Sequence, residues 1–107
     1  MNKWKEELDN QEVLEEDVVE QYQKPPMYNV ILLNDDYTPM DFVEKLLQQV
    51  FYRSPAESSR ITLTIHLGEK GIAGVYSKEI AETKSRQANE VAKAHGHPLL
   101  TEYEQAE

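Results

Sequence analysis

Tyr28-Asn29-Val30-Ile31-Leu32-Leu33 narrows the possible folds of this 107-residue chain more than any other stretch. Successive side chains of a strand point to opposite faces. Val30 and Leu32 on one side, and Ile31 and Leu33 on the other, therefore all need cover. Such a run fits an interior strand with helices on at least one face. The loop Asn34-Asp35-Asp36-Tyr37-Thr38-Pro39-Met40 follows. Asn and Asp favour turns because their side chains bond nearby backbone. Thr38 is the expected N-cap of the next helix, with Pro39 at its first position and Asp41 nearly completing a capping box.

The remaining residues must supply the cover, and this length permits one domain with a modest core. From Asp41 to Phe51, Val43, Leu46, Leu47, Val50 and Phe51 recur at three- and four-residue steps. They form one apolar stripe, with Asp41, Glu44, Lys45, Gln48 and Gln49 toward water. Residues 54–67 carry two conflicting signals. Ile61-Thr62-Leu63-Thr64-Ile65-His66-Leu67 alternates and is rich in β-branched residues, as in a hairpin strand before Gly68-Glu69-Lys70-Gly71. Ser54-Pro55-Ala56-Glu57 is instead a helix start, and it puts helix slightly ahead of hairpin. Residues 70–76 read as a strand whose glycines suggest a bulge or close backbone approach. Ser77 is the expected cap of a helix running to about His95, with Ile80, Lys84, Ala88, Val91, Ala92 and His95 along or beside one face. Gly96 ends that helix and Pro98 prevents its resumption. Residues 99–104 read as an edge strand. The order is β-α-α-β-α-β, an α+β domain.

Residues 1–24 differ from the rest. Lys3, Lys5 and Lys24 stand against Glu6, Glu7, Asp9, Glu12, Glu15, Glu16, Asp17 and Glu20, and Pro25-Pro26 close the stretch. Low hydrophobicity and clustered acid favour a flexible extension over a docked helix. The expected division is an acidic extension, 1–24, and a folded core, 25–107.

A formal charge of −9, from 20 acidic and 11 basic residues, argues against nucleic acid or an anionic membrane as the main partner. With no cysteine there is no disulfide and no thiolate nucleophile or metal ligand. No run approaches the roughly 20 apolar residues of a membrane span, and the acidic N-terminus does not look like a signal peptide. The expectation is a cytoplasmic protein.

Three chemistries remain. Asp35, Asp36 and His66 supply acid–base groups, but no nucleophile motif or phosphate loop accompanies them, which disfavours catalysis. His95 and His97 lack the usual spacing of a metal pair, leaving Asp36 with His66 as the only metal-binding or hydrolytic alternative. The third is a site for a cation attached to an apolar group. A protein's own N-terminus fits: its α-amine is mostly charged at neutral pH and carries three donors, where an internal peptide has one. Asn34, the two aspartates and neutral His66 offer only acceptors to it. An adjoining apolar pocket gains roughly 1.5–3 kcal/mol from a buried Leu or Phe. Micromolar binding needs about 8 kcal/mol, so the polar contacts matter as well.

Leu33-Asn34-Asp35-Asp36-Tyr37-Thr38-Pro39-Met40 with Phe42-Val43, Val75-Tyr76 with Ala81-Glu82-Thr83-Lys84, and His97-Pro98-Leu99 together resemble the ClpS adaptor family. The resemblance covers residues 25–104. It implies a three-stranded antiparallel sheet packed against three helices, like the C-terminal domain of the ribosomal stalk protein, and so a helix over 54–67. It implies a cofactor-free, non-enzymatic and monomeric adaptor of the ClpAP protease. Such adaptors capture proteins beginning with Leu, Phe, Tyr or Trp (the bacterial N-end rule) and deliver these N-degron substrates to the ClpA-type unfoldase. By the same resemblance Asn34, Asp35, Asp36 and His66 would bind the α-amine. Leu32, Thr38, Met40, Val43, Thr62, Ile65 and Leu99 would line the side-chain pocket, with Met40 excluding β-branched first residues. The family often has Met where Thr62 stands. Glu79 and Lys84 would dock the unfoldase's N-terminal domain, and residues 1–24 would engage its pore.

Overall fold

In the computed structural model, which describes residues 25–107, the apolar run becomes β1 (Met27–Leu33), the middle strand of a three-stranded antiparallel sheet. β2 (Lys70–Ser77) and β3 (Leu100–Gln105) flank it. Three helices complete the described residues: α1 (Met40–Val50), α2 (Pro55–Leu67) and α3 (Lys78–Ala94). The order is the expected β-α-α-β-α-β. The expected extension, residues 1–24, lies outside the described residues.

Val30 and Leu32, both at 0% exposure, face the helices and enter a core with Leu46, Leu47, Phe51, Ile61 and Ile65. The apolar stripe expected on α1 is therefore the core face of that helix. The opposite sheet face is more open: Ile72 and Leu100, paired with Ile31 and Leu33, remain about half exposed. The register shifts between Val30 and Ile31, which pair with Gly74 and Ile72. Ala73 is thus the extra residue of a bulge. Its carbonyl accepts a 2.7 Å hydrogen bond from Arg53 Nε, and its methyl is buried in the core. Close approach explains Gly71 beside it, where a Cβ would lie 2.7 Å from Ile65 Cγ1.

The conflict over residues 54–67 resolves as helix. Ser54 Oγ accepts from Glu57 N–H at 3.1 Å and donates to the Glu57 carboxylate at 3.0 Å. These reciprocal bonds satisfy a free donor of the first turn, and Pro55 fits the position after the cap. Helical spacing buries Ser58, Ile61, Thr62 and Ile65 and leaves Leu63 and Leu67 exposed. A strand would have put both leucines beside the isoleucines.

Three local expectations need correction. Thr38 does not cap α1: Pro39 holds that position and the helix begins at Met40. The Thr38 hydroxyl donates to Asp35 instead, and Asp41 accepts from its neighbour Phe42 N–H rather than closing a capping box. Ser77 does hold the N-cap position of α3, though without a side-chain cap bond. The buried stripe of α3 is Ala81, Ser85, Ala88 and Ala92, with Ile80 half exposed, because small side chains let the helix lie close to the sheet. The helix does end as expected, at Gly96, whose φ of +75° is the left-handed conformation that glycine tolerates.

Candidate functional site

The loop after β1 is built by Asp35. Its Oδ1 accepts from Tyr37 N–H at 2.8 Å and Thr38 N–H at 2.7 Å, and its Oδ2 accepts from the Thr38 hydroxyl at 2.7 Å. Partial burial pushes the Asp35 carboxyl up. The hydrogen bonds from Thr38 and Tyr37, with the nearby charge of His97, outweigh that and hold it below its usual range. It is therefore a fixed anion at neutral pH. Asn34 N–H donates to Glu69 O at 2.8 Å, tying the loop to the turn after α2. That bond brings the end of α2, with His66, to the loop.

Between the loop, α1, α2 and the segment before β3 lies a cavity. Asn34, Asp35 and His66 provide its polar groups. Its walls are Leu33 and Thr38 on the loop side, Met40 and Val43 from α1, Thr62 and Ile65 from α2, and Leu99. The space within this half-open cavity is about 30 Å³, room for roughly two waters. Receiving a side chain the size of Leu or Phe requires a wall to move. Met40, 39% exposed at the start of α1 and unbranched, is the wall best able to do so.

The fold thus brings together most of the residues expected at a site, but not all. Leu32 is in the core, and Leu33 borders the cavity in its place. Asp36 is exposed and does not line the cavity, so the structure does not pair it with His66. Glu79 is exposed in the first turn of α3. Lys84 is engaged: its Nζ donates to Val50 O at 2.6 Å and sits 4.5 Å from the centre of the Tyr52 ring. It thereby satisfies a carbonyl at the C-terminal end of α1, where a cation is favoured. Tyr52 follows in a left-handed conformation, φ 53°.

Two neighbours of the site, Leu33 and His97, belong to the family-like motifs but carry no expected role in the cavity. His97 packs on the Phe42 ring with centroids 4.4 Å apart, and its charge bears on Asp35.

An acceptor-bearing mouth over a small apolar hole suits a cationic group carrying an apolar substituent. Residues 23–102 match the model of a family described as ATP-dependent Clp protease adaptor protein ClpS. The ATP-dependent Clp protease adapter protein ClpS of Shewanella halifaxensis is 48% identical over 98 residues, which span 92% of this chain and 96% of that relative. The protein of the same description from Xanthomonas oryzae pv. oryzae is 50% identical over 82 residues, 77% of each chain. A solved structure, Agrobacterium tumefaciens ClpS2 bound to L-phenylalaninamide, is similar with a TM-score of 0.75 and 38% identity. The similarity covers 78% of this chain and all of that one.

Proposed function

This chain belongs to the ClpS family of ATP-dependent Clp protease adaptor proteins, and on that premise we propose that its cavity receives the first residue of a substrate protein. An adaptor of this kind is not an enzyme; it selects what the protease receives. The observation that carries the proposal is the composition of the cavity: Asn34, Asp35 and His66 beside Met40, Val43, Ile65 and Leu99. The amide oxygen, the carboxylate and a neutral imidazole nitrogen can accept from a charged amine, and an internal peptide N–H cannot fill three acceptors. L-phenylalaninamide, bound by the Agrobacterium relative, is a free amine next to a benzyl group and so has the form of a chain beginning in Phe.

In this reading the α-amine sits at Asn34, Asp35 and His66. Asp36 adds its charge from the exposed side of the loop, and the first side chain enters past Met40. The accepted residues are Leu, Phe, Tyr and Trp. The adaptor acts as a monomer and hands these substrates to a ClpA-type unfoldase. Glu79 and the α3 surface around Lys84 meet the unfoldase's N-terminal domain, and residues 1–24 engage its pore. The metal-binding or hydrolytic alternative needs Asp36 and His66 together, and no observation favours it.

Fluorescence anisotropy with a labelled peptide beginning in Phe tests the proposal. Acetylating the N-terminus removes the charge and should weaken binding at least ~30-fold, the equivalent of one charge-assisted hydrogen bond of ~2 kcal/mol. Equal binding of the blocked peptide would show that the amine is not what the cavity reads.

A further inference from the structure

One buried polar atom beside the cavity is not used by the fold. Thr62 is 2% exposed, borders the cavity, and its Oγ1 has no hydrogen-bond partner. A helical threonine can donate to the carbonyl one turn back, as Thr64 does to Arg60 O at 3.0 Å. Thr62 does not. Native structures seldom leave a buried hydroxyl unpaired, because its lost hydration goes unrecovered. Among the described residues two other side-chain hydroxyls are buried and unpaired, those of Ser58 and Thr101. Neither residue lines the cavity, so the Thr62 hydroxyl is the one next to the space a ligand enters.

Its position has a second consequence. Thr62 lies one helical turn before His66, and both border the cavity. Four residues of helix rise about 6 Å. That is close to the reach of a tyrosine from its Cα to its phenol oxygen. With the amine held near His66, a tyrosine side chain running along α2 brings its oxygen to Thr62.

Resting on the first-residue reading above, we propose that Thr62 is a specificity-determining residue that favours tyrosine over phenylalanine at the first position of the substrate. A phenol both donates and accepts, so it pairs with the threonine hydroxyl in either direction. Phe and Leu offer neither, and each leaves Thr62 unpaired while excluding any water that could reach it. A site with a polar group awaiting a substrate hydroxyl discriminates against the analogue that lacks one.

The test uses the full chain and three peptides that differ only in their first residue: Phe, Tyr and 4-methylphenylalanine, the last matching Tyr in size without its hydroxyl. The wild type should bind the Tyr peptide about five-fold more tightly than either of the others, the order of one neutral hydrogen bond. Thr62→Val keeps the shape and removes the hydroxyl. It should bring the three affinities within about two-fold of one another, and a cooperative thermal melt shows separately that the variant is folded. Thr62→Ser should retain the preference for Tyr. A Tyr-to-Phe ratio that Thr62→Val does not change, or a 4-methylphenylalanine peptide that binds the wild type as well as the Tyr peptide, overturns the inference and leaves the first-residue reading standing. Failure of the wild type to bind any of the three overturns that reading, and this inference with it.

Discussion

Asp35→Ala separates building the site from forming part of it. The substitution removes three hydrogen bonds to a charged acceptor, from Tyr37 N–H, Thr38 N–H and the Thr38 hydroxyl. The Tyr37 amide is exposed and can turn to water, so only the two part-buried Thr38 bonds count. Bonds to charged groups contribute roughly 1.5–3 kcal/mol each in buried settings. Halving that for solvent screening leaves a combined loss of ~1.5–3 kcal/mol. With a urea slope of about 1.5 kcal/mol/M for a domain this small, the unfolding midpoint at pH 7 should fall by ~1–2 M. The acid side supplies an independent check. Because the folded-state pKa of Asp35 is lowered from 3.8, its contribution is complete above that value and disappears as pH falls through the folded one. Wild type and variant should therefore converge in stability as acid protonates this carboxyl in the folded state, below its usual range. A midpoint shift under ~0.3 M at pH 7, or a gap that persists undiminished in acid, would refute the claim that this carboxylate holds the loop.

Asp36→Ala should change folding stability by no more than the ~0.5 kcal/mol typical of surface changes, yet weaken a Phe-starting peptide by ~0.5–1 kcal/mol, the scale of an exposed charge pair; unchanged affinity removes Asp36 from the proposed site. Met40→Ala widens the cavity mouth and should admit Ile- and Val-starting peptides by removing a clash, and their continued rejection in anisotropy assays places selectivity elsewhere. Lys84→Met keeps the aliphatic stem but loses the bond to Val50 O; a cost of ~1–2 kcal/mol should lower the Tm by roughly 5–10 °C, whereas a side chain that serves only to dock a partner would leave the Tm unchanged. Gly96→Ala meets no atom within 4 Å, so any loss is backbone strain at φ +75°, about 1–2 kcal/mol by thermal melt; an unaltered melt would mean that the helix end relaxes.

The sequence by itself determined the elements and their order, except over residues 54–67, where it put helix only slightly ahead of hairpin. Periodicity and caps act within one turn or one pleat, so the α1 stripe, the Ser54–Glu57 start of α2 and the Gly96 stop could be read from neighbouring residues. It also located the loop, since Asn34, Asp35 and Asp36 between an apolar strand and an amphipathic helix have few other uses. Tertiary structure alone decided which groups meet. It put Leu33 rather than Leu32 at the cavity, bonded Asp35 to the loop at the cavity's edge while leaving Asp36 exposed, and turned Lys84 toward the end of α1. It also left the Thr62 hydroxyl without a partner. The physical reason is that a cavity is the space left between elements distant in sequence. Its lining depends on how β1, α1 and α2 settle against each other, and a one-residue difference in strand parity or a bulge at Ala73 changes that without altering any local signal.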